Sequence, residues 1–455
     1  DSGSLAGHGT FGGTYDIVHY RYGGNENLLD LRSIPNAPVV DGTVFILSGL
    51  LAGNDPAAGG MFLFCQKEST QHHAAGRTII SGRFSGVKVP GTEQMSGVAI
   101  VNQLIFVYNL AIFGAVSAAS IFGAQYFGKG NHKGHMYSFR FKLYATLLVT
   151  GGAILLFLTK GSALISLYLT DTVGNGATDL ALQYGLEYLA IMMVGLIPFA
   201  VNQSYATNIK ETGLTLIPML ASFVAVGTNA ILDYLMIFGI GPFPELGVQG
   251  AALATVIARY IEALIVVIWA HIHRGKNRYL EGAYTGFGIP LAELKAILIK
   301  GFPLMMNEVM WAAGMTTVTQ CYSVRGLDVV AGLNIASTIT NLFNIVYLQL
   351  GSCISIVVGQ YLGGGKLEDA KDADNKMIVF SVFCCVIMAV LLFVVGGFFP
   401  GIYNTTEEIK TLATSFIAVS AIIMPFCAFS HASYFTLRSG GKTVVTFLFD
   451  SVFTW

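Results

Sequence analysis

The sequence predicts an all-α polytopic membrane protein made of two homologous helical bundles, and three observations carry that prediction. Charged residues make up only 11% of the 455, against 54% hydrophobic, and the mean hydropathy is +0.64. A soluble domain carries about 25% charged residues, so this chain lacks the polar surface to coat a globule in water. From Met95 onward, long apolar runs alternate with short polar loops. The chain also repeats itself, with Gly97 recurring as Gly332. The balance of 25 Lys+Arg against 26 Asp+Glu, a formal net charge of −1, excludes a basic nucleic-acid binder or an acidic tail as the main theme.

Residues 1–94 are left unassigned. They hold sixteen glycines and scattered charges, and their best apolar run, Thr43 to Ala52, is ten residues, half of the ~20 that a spanning helix needs. A disordered or small soluble extension and an out-of-frame stretch both fit. The opening DSGSLAGHGT has neither an initiator Met nor a basic-then-apolar leader, the pattern of a fragment.

After Met95 the apolar segments fall at roughly 97–127, 141–169, 180–208, 214–240, 247–273, 290–323, 330–362, 377–400 and 407–437, and a tenth begins near Thr443. Each of the first nine is long enough to cross ~30 Å of hydrocarbon. With no water there to satisfy the backbone, they should be helices, and a β-barrel would not give such unbroken apolar runs. Lys129, Lys133, Arg140, Lys142, Lys210, Arg274, Lys276, Arg278, Lys295, Lys300, Lys366, Lys371, Lys376, Arg438 and Lys442 fall in alternate loops, and only Lys160, Arg325 and Lys410 in the others. The basic set is expected in the cytoplasm, so the segment starting at Ser96 enters from outside. Five of the six cysteines lie in apolar stretches without ligand spacing; no disulfide framework or metal site is expected.

Sliding the chain by about 235 residues lays 96–130 over 331–365 without a gap. Gly97, Ile100, Asn109, Ser117, Ser120, Ile121, Gln125, Tyr126, Gly128 and Gly130 meet Gly332, Ile335, Asn344, Ser352, Ser355, Ile356, Gln360, Tyr361, Gly363 and Gly365. Weaker echoes follow: Pro198-Phe199 recurs as Pro425-Phe426, and Ser204-Tyr205 as Ser433-Tyr434. Paired segments are an even number of crossings apart, so the repeats are parallel. Two such lobes around a central cavity are the usual architecture of a secondary transporter.

The runs SGVAIVNQLIFVYNLAIFGAVSAASIFGAQYFGKGN, NAILDYLMIFGIGPFPELGVQGAALATVIAR, GFPLMMNEVMW and TLRSGGKTVVTFLFDSVFTW resemble the multidrug and toxic compound extrusion (MATE) transporters, over about residues 95–455. The resemblance implies twelve helices in two six-helix lobes. About ten are present here: an N-terminal lobe, 95–280, like the second to sixth, and an incomplete C-terminal lobe, 281–455, like the seventh to eleventh. It also implies Na⁺- or H⁺-coupled export of cationic, drug-like amphipathic molecules across the plasma membrane by a monomer, with no other cofactor.

Charges at membrane depth cost at least ~2.5–3.5 kcal/mol near the centre, so each is a functional candidate. Asp233 comes first, with Asn229 one turn before it on the same face. Hard oxygen ligands suit Na⁺, and a buried carboxylate equally carries a proton; the resemblance makes this pair a coupling-ion site, though the family's acidic partner from the first helix has no counterpart here. Glu308 follows, with Trp311 one turn on offering an aromatic face; an interfacial ion pair fits Glu308 equally. Gln203, Asn202 and Asn307 are expected to line the cavity or to bond between helices. Asp450 lies in the helix answering to that of Asp233, at a different position. Arg259 and Glu262 are expected to pair. His431 is of a type that carries protons but reads more readily as a packing histidine; His271 and His273 read as interface residues.

No enzyme signature stands. Gly363-Gly364-Gly365-Lys366 lacks the phosphate-loop spacing, and its repeat partner Gly128-Lys129-Gly130 points to a tight turn. The competing readings are a flippase for lipid-linked precursors, whose cavity should be more basic, and a non-functional transporter fragment.

Overall fold

A computed structural model of the chain describes residues 69–74, 77–84, 87–88, 92–169, 175–286, 288–403 and 405–452; the expectations for residues 1–68 lie outside them. Within the stretch the sequence left unassigned, strands β1 (Ser69–Ala74), β2 (Arg77–Phe84) and β3 (Val87–Lys88) form an antiparallel meander, with Ser69 opposite Gly82 and Ala74 opposite Arg77. From Thr92 on the architecture is helical.

The first bundle holds α1 (Thr92–Gly128), α2 (His132–Ser166), α3 (Asn175–Val194), α4 (Leu196–Glu211), α5 (Leu216–Phe238) and α6 (Val248–Ile272). The second holds α7 (Leu291–Ser323), α8 (Leu327–Gly363), α9 (Leu367–Gly396), α10 (Glu407–Ser439) and the start of α11 (Thr443–Phe447), which runs on as a π-turn, Leu448–Val452. Among the described residues, seven helices are long and apolar enough to span, or eight if α3 and α4, bent by 42°, count as one. The sequence placed a span at 290–323; α7 has the length, but with Glu293, Lys295, Lys300 and Glu308 along it it is not among the seven.

The internal repeat is visible in the helix limits, because α8 has the length and bounds of α1 shifted by the sequence offset. Both end in the same turn. Asn131 N–H bonds the Tyr126 carbonyl and Lys366 N–H the Tyr361 carbonyl, while Gly130 (φ 71°) and Gly365 (φ 74°) take the left-handed conformation that a side chain disfavours. These are tight turns after helices, as the spacing implied. The repeat departs from symmetry at its prolines. Gly195 separates α3 from α4, with Pro198 in the first turn of α4, where its missing N–H costs nothing. Pro425 sits inside a continuous α10.

Each bundle has its own core. Val98, Val101 and Ile105 of α1 pack with Phe157, Tyr188, Met192 and Ala252; Ile335, Ala336 and Ile339 of α8 pack with Cys385, Leu392, Ala413 and Ile417. Gly97 brings α1 onto α3, where a Cβ would stand 2.5 Å from the Ala181 carbonyl, and Gly332 brings α8 onto Leu412 of α10. The outward face is apolar: Phe380, Phe383, Val390, Phe393 and Val394 of α9 are each more than half exposed, the inverse of a soluble fold and the surface a bilayer covers. The bundles meet through α1, which packs on both α7 and α8. The five described cysteines are free.

Three residues counted among the loop cations belong inside, Arg438 of α10 and two at the start of α2. Helix α2 begins at His132, earlier than the apolar run, because Asn131 caps it by accepting from Gly134 N–H at 3.0 Å. Arg140 and Lys142 therefore lie on a buried helix face. Arg140 donates to the carbonyls of Gly282 (2.7 Å), Ala283 (2.9 Å) and Gly288 (2.7 Å), fastening the connection between the bundles. Lys142 is fully buried.

Candidate functional site

Asp233 is set by α5 and held against α6. It lies in the last two turns of α5, near the end capped by left-handed Gly239, rather than at mid-span as its place in the apolar run suggested. Its side chain is completely buried. The Asn229 amide, oriented so that both ends are satisfied, donates to Asp233 Oδ2 at 3.3 Å and accepts from the Thr255 N–H of α6 at 3.2 Å. Asp233 Oδ1 is buried and meets no hydrogen-bond donor among the described residues. An unsatisfied buried carboxylate oxygen is costly, and a proton or a small hard cation relieves that cost. Tyr188 of α3, which donates to Asn102 Oδ1 at 3.2 Å, lies within electrostatic range of both Asp233 and Arg259.

Arg259 places its guanidinium 5.0 Å from the Phe199 ring centroid. Glu262 accepts from Ser222 Oγ at 2.6 Å. Asn202 and Gln203 lie in α4; Asn202 is buried with its Oδ1 meeting no donor among the described residues, and Gln203 is half-buried.

The second bundle gathers a separate polar cluster. Asn307 of α7 donates to Asp450 Oδ2 at 2.7 Å and accepts from Ser451 Oγ at 2.6 Å; it also reaches the Tyr434 hydroxyl at 3.4 Å. Arg438 donates to that hydroxyl at 3.5 Å and stacks over Phe435, with Phe113 of the first bundle on its other contact. Glu308 lies within electrostatic range of Arg438 and Asp450 and faces α1 at Gly114, where a Cβ would be 3.9 Å from Glu308 Cγ. Trp311 is 45% exposed. The repeat does not pair the two acids: Asp450 is near the basic-loop end of its helix, and Asp233 near the opposite end of α5.

The sequence reading put Asn229 beside Asp233 on one helix face, and named Asn307 and Asp450 separately, without knowing that those two are in contact. It missed Thr255, Tyr434, Ser451 and Arg438. The first three carry no charge to single them out, and Arg438 was counted as a loop cation.

A third polar network escaped it entirely. Lys142 Nζ contacts Glu211 Oε1 at 2.5 Å and donates to Asn208 Oδ1 at 2.6 Å, while His135 Nε2 stands 3.3 Å from Glu211 Oε2. The signal was present: an Asn and a Glu three apart at the end of an apolar run face one side of a helix. His431 and His271 pack on tyrosine rings, Tyr347 and Tyr284. Among the described residues no group of His, Cys, Asp and Glu is arranged to hold a metal.

Comparison with known proteins agrees with this architecture. A sequence model of the MatE family matches residues 76–235 and 303–452, so the match reaches into the stretch the sequence left unassigned. A probable multidrug resistance protein NorM of Thermotoga maritima is 23% identical over 365 residues, 80% of this chain and 76% of the relative. A protein of the same description from Halalkalibacterium halodurans is 23% identical over 380 residues, covering 83% and 80%. In fold, the chain is similar to an outward-facing multidrug resistance MATE family transporter of the MOP superfamily, with a TM-score of 0.70 at 18% identity over 80% of this chain and 78% of that one. It is equally similar to MATE in the straight conformation, TM-score 0.70 at 19% identity, covering 80% and 78%. With most of its length matched in both bundles, this multi-pass membrane protein belongs to the MatE family.

Proposed function

We propose that the chain is a cation-coupled antiporter that exports cationic, drug-like amphipathic molecules by alternating access between its two lobes, acting as a monomer in the plasma membrane with its basic loops in the cytoplasm. The observation that carries the reading is Asp233: a buried carboxylate, beside an amide, with one oxygen lacking any protein donor among the described residues. A transporter rather than an enzyme is supported by the names of the relatives, which are described as probable multidrug resistance proteins.

An incoming Na⁺ or H⁺ would settle on Asp233 Oδ1 and remove the cost of its burial. A unit charge falling through 100 mV supplies about 2.3 kcal/mol, and a tenfold concentration gradient about 1.4 kcal/mol. In a one-for-one exchange the exported cation climbs the same potential, so the electrical term cancels and the concentration term sustains about a tenfold gradient of a monovalent cationic cargo per ion. The choice of cationic cargo rests on charge: among the helix-borne groups singled out, Asp233, Glu262, Glu308 and Asp450 outnumber Arg259 and Arg438, where a pyrophosphate carrier would need a basic cavity.

Efflux of ethidium from energised cells expressing the chain tests the reading. Asp233→Asn keeps the side chain's size and removes the charge, and should cut efflux by at least about tenfold, the effect of losing ~1.4 kcal/mol of coupling. Efflux at the parental rate in that variant would show that Asp233 is not the coupling site.

A further inference from the structure

The two lobes touch through a reciprocal arrangement at their basic ends. Gln125, near the end of α1, donates from Nε2 to the carbonyl of Ser439, the last residue of α10, at 2.8 Å. Its repeat partner Gln360, near the end of α8, donates to the carbonyl of Glu211, the last residue of α4, at 2.7 Å. Each bond crosses from one lobe to the other. Each is also chemically motivated, since the last carbonyls of a helix have no partner within it, and a side-chain amide from the opposite lobe supplies one.

The backbones close behind these amides. A Cβ on Gly128 would overlap the Gln360 carbonyl, and a Cβ on Gly363 would overlap the Gln125 carbonyl. Ala124 meets Gly359 at the same crossing, where an added Cβ would be 3.1 Å away, and a Cβ on Gly364 would be 3.2 Å from the Gly128 carbonyl. Cross-lobe contacts run along α1 from Phe113, against Arg438, to this point. The earlier part of α1 packs within its own lobe, Gly97 on α3 and Tyr108 on Thr150 and the Leu196 carbonyl.

We infer that Gln125, Gln360, Gly128 and Gly363 form a two-fold clasp that holds the lobes together at the basic-loop end, and that these are positioning residues for the alternation of access. The inference rests on the transport reading for its purpose. It also accounts for a sequence fact: these four positions are identical between the two halves of the repeat because each half donates one amide and receives the other's through a mutually close backbone. The Glu211 half is further braced, because the Glu211 side chain is ion-paired to Lys142 and packs on Gly123; Ser439 has no such carboxylate. The clasp is thus symmetric in its hydrogen bonds and asymmetric in what stands behind them.

Hydrogen–deuterium exchange of the purified full chain in detergent tests it, read on peptides covering 121–131 and 356–366. Gln125→Ala or Gln360→Ala removes one cross-lobe bond, and should raise exchange about fivefold in both peptides, since a hydrogen bond is worth ~1 kcal/mol net. Gly363→Ala prevents the close approach and should raise exchange in both by at least about tenfold. Gly151→Ala in α2, where an added Cβ meets nothing within 4 Å, serves as the folding control and should change neither. Increased exchange confined to the substituted helix overturns the clasp, as does no change in either peptide. The readout does not depend on pumping: if Asp233→Asn effluxes like the parent while the reciprocal exchange pattern appears, the coupling reading falls and the clasp stands.

Discussion

Lys142 and Glu211 are the most sharply testable pair in the first lobe. Both side chains are buried to within about 1%, their charged atoms are 2.5 Å apart, and Asn208 and His135 complete the shell. Lys142→Met leaves the Glu211 carboxylate buried with His135 as its one remaining side-chain partner among the described residues. Breaking a buried pair from one side costs roughly 3–5 kcal/mol. Unfolding entropy of about 2 cal/mol/K per residue over 455 residues converts 4 kcal/mol into a fall of about 4 °C in melting temperature. The double variant Lys142→Met, Glu211→Leu replaces both charges by apolar groups of similar volume, a change that is often neutral. It should recover most of the loss, short of about 1–2 kcal/mol for the polar groups of Asn208 and His135 left without partners. The assay is thermal unfolding of the purified protein in detergent, followed by intrinsic fluorescence, on the parent, both single variants and the double variant. A double variant no more stable than Lys142→Met would refute the reasoning, because the penalty would then come from lost packing around Lys142 and not from a stranded charge.

Other outcomes follow from the packing of both lobes. Gly97→Ala drives a methyl to 2.5 Å from the Ala181 carbonyl and 2.8 Å from Gly185 N, so it should destabilise the α1–α3 crossing by about 1–3 kcal/mol in the same melting assay; a neutral result would mean the two helices separate freely. Arg140→Lys cannot reach three carbonyls from one guanidinium fork, and should make the 277–290 connection cleave several-fold faster in limited proteolysis, with parental cleavage rates counting against it. Asn307→Ala strands Asp450 Oδ2 and Ser451 Oγ, costing roughly 1–3 kcal/mol for buried polar groups left without partners; Asn307→Asp, which reaches Ser451 but repels Asp450, should fare no better, and a melting temperature equal to the parent in both would remove the cluster's structural role.

The sequence alone determined the solvent this chain folds in and the plan it folds by. Apolar runs of spanning length admit only helices in hydrocarbon, and ten identities between 96–130 and 331–365 foretold two helices, α1 and α8, with matching limits. It also named Asp233 and Asn229, because a carboxylate inside an apolar run is conspicuous. What it did not determine were the groups whose meaning comes from a neighbour distant in the chain. Lys142 looked like a loop cation until α2 was seen to begin at its Asn131 cap and bury it against Glu211. Arg438 looked alike until it lay on Phe113 of the other lobe. The repeated Gln and Gly residues were legible as a pattern but mute as to purpose. Which carbonyl an amide reaches depends on how two helices 235 residues apart cross, and only tertiary packing sets that crossing.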